Sequence, residues 1–145
     1  MPSTFTNLTG TNDSVMTTEL NSLANNALNI SGAITITSSG YLLAEFELYI
    51  ASMGGVPTAN TAFDLWLLRR PDGTNYEDGG ASVTPSRSPD LWFPIRAVST
   101  AQRIVKVCEI PPGLWKALIR NNGTGQALAA SGNTLKCRPF TTQGS

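Results

Sequence analysis

The most regular stretch of the chain is residues 41–52. There Leu42, Ala44, Phe46, Leu48 and Ile50 alternate with Leu43, Glu45, Glu47 and Tyr49. A period of two places the first set on one face of a strand and the second on the other. Residues 63–70 repeat the pattern, with Phe63, Leu65 and Leu67 opposite Asp64, Trp66 and Leu68. Further strand-like runs lie at 33–37, 91–98, 102–110, 114–120 and 134–140, with a short piece at 127–130. Turn signals separate them: Gly54-Gly55, Pro71-Asp72-Gly73, Pro111-Pro112-Gly113, Asn121-Asn122-Gly123 and Ser131-Gly132-Asn133. Pro94 marks 91–98 as an edge strand. Residues 75–88 read as a loop. Only 18–28 follows helical spacing, through Leu20, Leu23, Ala24, Ala27 and Leu28, with Thr18 placed to cap it. Asn21, Asn25 and Asn26 are weak helix formers, so the helix is short. Residues 1–14 are polar and rich in Thr and Asn, punctuated by Phe5 and Leu8, and an extended arm is predicted over 1–17.

Seven or eight short strands with turn punctuation imply an all-β protein: a single antiparallel β-sandwich over 18–145, jelly-roll-like or Ig-like, preceded by the arm. Several strands carry apolar residues on both faces. Trp66 and Leu68 lie opposite Phe63, Leu65 and Leu67, and Tyr49, Ile104 and Leu118 fall opposite the better-defined apolar faces of their strands. A sheet of this kind needs a second covering layer, either the 18–28 helix or another subunit. Phe5, Leu8, Tyr49, Trp66, Leu68, Tyr76, Trp92, Ile104 and Leu118 are therefore the candidate protein–protein contacts. For Trp115 a core position is expected, because Ala117 and Ile119 share its face.

Composition narrows the chemistry. The 145 residues contain ten Lys and Arg, ten Asp and Glu, and no His. Zero net charge removes the generic attraction to nucleic acid or an anionic membrane. Lack of His removes the commonest general base and zinc ligand, and two Cys do not build a four-thiolate site. No catalytic residue, metal or cofactor is assigned. The charges are unevenly placed: 1–68 holds five acids and no base, and 69–145 holds five acids and all ten bases. Either the halves interleave in space or the subunit is dipolar and meets copies of itself through opposite charges. No signal peptide or membrane-length apolar run is seen, which predicts synthesis in the cytoplasm with Cys108 and Cys137 as thiols.

Three local patterns suggest chemistry. Glu45, Glu47 and Asp64 would serve a hydrolase if their strands were neighbours. Asp72, Asn75, Glu77 and Asp78 form an oxygen-rich loop, but Tyr76 stands where a calcium loop of the EF-hand type wants an oxygen. Trp66, Tyr76 and Trp92 would form a stacking platform for a glycan if they shared a surface.

An ordered series of motifs spans most of 17–140: Leu20-Asn-Ser-Leu-Ala24, Arg70-Pro-Asp-Gly-Thr-Asn-Tyr-Glu-Asp-Gly79, Ile110-Pro-Pro-Gly-Leu-Trp-Lys116, Asn121-Asn-Gly-Thr-Gly125 and Ala130-Ser-Gly-Asn-Thr-Leu135. In this order it resembles small β-sandwich structural proteins of tailed bacteriophages. The resemblance implies a non-enzymatic virion component made in the host cytoplasm, of the capsid decoration or cement type. Its implied partners are the major capsid protein and copies of itself, for example as a trimer. A tail or head-fibre component contacting the host, or a carbohydrate-binding module, is the alternative.

Overall fold

The computed structural model describes residues 5–9, 12–36 and 41–144, with side-chain detail for 12–36 and 41–141. Ten strands are found among them: β1 (Phe5–Thr9), β2 (Asp13–Met16), β3 (Leu28–Ile30), β4 (Ile34–Thr35), β5 (Leu43–Ile50), β6 (Ala62–Leu68), β7 (Leu91–Pro94), β8 (Gln102–Glu109), β9 (Leu114–Asn122) and β10 (Thr134–Gly144). They form two antiparallel sheets. The first runs β1-β10-β5-β8, with β2 also paired to β10; the second runs β3-β9-β6-β7, with β4 also paired to β9. The protein is all-β, consistent with a β-sandwich.

The alternation that defines β5 also defines the core. Ala44, Phe46, Leu48 and Ile50 are fully buried from the first sheet, and Phe63, Leu65, Leu67, Trp115, Ala117 and Ile119 meet them from the second. Phe46 and Trp115 cross the layer edge-to-face, ring centres 6.1 Å apart. Each such large side chain contributes on the order of 1.5–3 kcal/mol through burial. Leu42, expected to share this face, precedes the strand and is 70% exposed.

Much of the stretch expected to be an arm is strand. Thr9 lies opposite Phe140, and Asp13 opposite Cys137, so β1 and β2 follow one another along the same side of β10. Pro139, which has no N–H to donate, sits at the step between them. Side chains of Phe5 and Leu8 lie outside the described part.

The helix expected over 18–28 is a single 3-10 turn, Thr18–Leu20. Positive φ at Ser22 and Asn26 stops its continuation. Leu20 and Leu23 are buried as the spacing suggests, but the asparagines knit this segment to the turn after β9. Asn25 and Asn26 side-chain oxygens accept from the Gly125 and Gly123 N–H groups, both at 2.9 Å. Buried Asn121 answers from the other side, donating through Nδ2 to the Leu23 and Gln126 carbonyls. Such side-chain-to-backbone bonding is why these residues favour irregular chain over helix.

Candidate functional site

The outward face of the second sheet is covered by the chain itself. Trp66, Leu68 and Leu118 are at most 2% exposed and form a small second core with Leu28, Ile30 and Tyr76. The cover is the segment 70–90, which connects β6 to β7. Gly79 shows how closely it lies: a Cβ there would stand 3.0–3.1 Å from methyl carbons of Leu68 and Leu118. Tyr76 is flanked by Arg70 and Lys116, whose cationic groups lie 5.5 and 4.5 Å from its ring centre. The second layer expected from the two-faced strand is thus this loop, rather than a helix at 18–28.

Arg87 fastens the cover. Its guanidinium donates from Nε and Nη2 to the two Glu77 oxygens (2.8 and 2.7 Å) and from Nη2 to the Leu67 carbonyl (3.0 Å), and it pairs with Asp90 (2.9 Å). Trp66 Nε1 donates to the Arg87 carbonyl at 3.0 Å. The bidentate bond from Arg87 holds the Glu77 carboxyl below its ordinary range, against the opposing effect of burial. Asp72 accepts from the Thr74 and Asn75 N–H groups and from Asn75 Nδ2, closing its own turn, and these bonds lower its pKa. The oxygen-rich loop is therefore turn and clamp. Among the described residues, no three His, Cys, Asp or Glu converge as a metal site would require.

The carboxylates at 45, 47 and 64 are not brought together. Glu45 and Glu47 lie on β5 in the first sheet, and Asp64 lies on β6 in the second. Asp64 is 3% exposed, accepts from Asn122 Nδ2 at 3.0 Å and has Arg120 Nε at 3.5 Å. Desolvation raises its pKa, only partly offset by Arg120 and Asn122. The aromatic platform is not assembled either: Trp66 is buried, Tyr76 packs on the Trp66 cluster with two cations near its ring, and Trp92 alone of the three is an exposed large apolar residue, at 51%. Cys108 and Cys137 are free thiols on strands that flank β5 on opposite sides. Burial pushes their pKa values up to about 11 and about 12, so neither is an activated nucleophile.

Among the described residues, the outer face of the first sheet carries exposed side chains. Its middle column is Glu45, Glu47 and Tyr49 on β5. Arg138, Lys136 and Thr134 stand opposite them on β10, and Val107, Val105 and Arg103 on β8. Arg103 pairs with Glu47 at 2.6 Å and lies 4.5 Å from the centre of the Tyr49 ring. A shallow recess of about 220 Å³ is lined by Asn12, Glu45, Glu47, Val105, Lys136 and Arg138. Ile104 is not on this face. Register with Leu48 turns it inward, where it packs partly buried against the core, and the outward apolar residues of β8 are Val105 and Val107, each 52% exposed. The phase of β8 is set by pairing to β5 rather than by its own apolar pattern, which offers apolar residues at both parities. Exposure of the valines is what strand alternation in this one sequence does not reveal.

Comparison with protein-family models, with curated proteins and with solved structures finds no match for the chain.

Proposed function

We propose that the protein is a non-enzymatic virion structural component of the capsid decoration type, binding the outside of an assembled shell. The observation that carries this reading is a pair of exposed apolar side chains on edge strand β8: Val105 and Val107 point outward two residues apart, each 52% exposed. Trp92, also about half exposed, stands level with Asp64 on the outward side of the other sheet. Neighbouring exposed apolar side chains on an edge strand suit a protein contact. The ordered motif series from Leu20 to Leu135 supports the virion setting.

Within that reading we assign the sandwich to the jelly-roll type. With β1/β2 and β3/β4 each taken as one interrupted strand, eight strands remain. The first, eighth, third and sixth then form one sheet and the second, seventh, fourth and fifth the other. That is the strand order of two interlocked Greek keys.

The test is binding of purified protein to shells that lack it. Saturable binding is expected, weakened about tenfold or more by Val105→Ser combined with Val107→Ser. Lack of binding by the folded wild-type protein overturns the decoration role. Labelling that places it on tails or fibres moves it to the alternative site on the particle.

A further inference from the structure

We propose that the outer face of the first sheet is a self-complementary interface through which two copies of this chain pair face to face about a two-fold axis. The argument rests on the order of charges across the strands. Acidic residues Glu45 and Glu47 form one column on β5, and basic residues Arg138 and Lys136 form the next on β10, each base level with an acid. A two-fold axis parallel to the strands, lying between these columns, preserves height along the strand and exchanges the columns. Glu45 of one copy then faces Arg138 of the other, and Glu47 faces Lys136, twice over by symmetry. An axis perpendicular to the strands and in the same plane would set like charges against each other, so the pattern selects one arrangement.

Three of these four charges, Glu45, Lys136 and Arg138, make no ion pair among the described residues, while Glu47 is also held by Arg103. Among the described residues no ion pair joins Glu45 to Arg138 or Glu47 to Lys136, although each pair is in cross-strand register. Instead they line the recess beside Val105, and Glu45 and Arg138 are exposed. Two sheets packed face to face align within about 30° of each other, which keeps the columns in reach along their length. Facing charges of opposite sign steer and register the encounter, and their contribution is screened by salt.

The experiment is sedimentation equilibrium of the wild-type chain and of two charge-reversed variants, Glu45→Lys with Glu47→Lys, and Lys136→Glu with Arg138→Glu. Wild type is expected to form a reversible dimer at low ionic strength that dissociates as salt is added. In each variant alone these four positions carry one sign of charge, and it is expected to be monomeric, its self-affinity at least about tenfold lower. Mixed in equal amounts, the two are expected to form a one-to-one heterodimer, which a merely structural role for these residues would not produce. Far-UV circular dichroism checks folding, and the single variants Glu45→Lys and Arg138→Glu, at exposed positions, carry the same test if a double variant fails to fold. A wild-type monomer at every salt concentration, a closed trimer, or no complex on mixing overturns the pairing. A monomer that still binds shells overturns the pairing alone and leaves the virion role standing.

Discussion

Arg87 reaches Glu77, Asp90, the Leu67 carbonyl and, through its own carbonyl, Trp66. Replacing it with Ala takes the guanidinium from two carboxylates and one carbonyl beside a buried apolar cluster, leaving Glu77 with the Arg69 N–H and Asp90 with the Leu67 N–H. Arg87→Ala is expected to cost about 1–3 kcal/mol, seen as a lower Tm, with segment 70–90 cut first in limited proteolysis. Gly79→Ala acts on the same cover by crowding rather than by lost bonding. Leu68 and Leu118 are fully buried and have little room to move, so about 1 kcal/mol of destabilisation is expected in thermal melts. The clamp is also pH-dependent. Glu77 titrates below its ordinary value in the folded protein, so its contribution is present above about pH 4.5 and is lost as pH falls through the depressed folded value. Glu77→Gln is expected to lower stability at neutral pH and to flatten its acid dependence, measured as Tm across pH 3–7 (on the order of those limits).

At the scale of elements, β8 shows both what a sequence reveals and where it stops. Strand existence was readable at 43–50, 62–68, 91–94, 102–109, 114–122 and 134–140, because alternation and turn chemistry agree there. Phase was readable in β5 and β6, where one face is wholly apolar. In β8, Ile104, Val105, Val107 and Cys108 put apolar residues at both parities, and only pairing with β5 decides which face is inner. The helix expected at 18–28 failed for a related reason: leucine spacing records that residues are buried, whereas Asn25, Asn26 and Asn121 decide the backbone through bonds formed about a hundred residues apart in sequence. The covering role of 70–90 left one local trace, a glycine at 79, whose purpose appears only once Leu68 and Leu118 lie beneath it. Lys106 points to another function of the edge. It stands opposite Phe46 at an inward-phase position, yet it is exposed. An inward-phase lysine on an edge strand obstructs pairing with another chain's edge. Lys106→Val would leave an uncharged run from Ile104 to Cys108, and faster aggregation is expected by light scattering, with little loss of Tm.

Over the whole molecule the uneven charge distribution resolves into interleaving. Arg103 from the basic half pairs with Glu47, and Arg120 approaches Asp64, while Lys136 and Arg138 stand level with Glu47 and Glu45. Each sheet is built across the division at residue 68: β10 pairs with β1, β2 and β5, and β9 with β3, β4 and β6. Neither half contains a complete sheet or a complete core, since Phe46 in one packs on Trp115 in the other. Fragments 1–68 and 69–145, of net charge −5 and +5 by the sequence, are therefore expected to be unfolded separately and to fold on mixing. Opposite net charge should speed their encounter, with an association rate that falls about tenfold between low and physiological salt. The native two-sheet signal in circular dichroism and the blue-shifted emission of buried Trp66 and Trp115 would report success. Either fragment folding alone would break the argument, because it would mean that one half already closes a core without the strands supplied by the other.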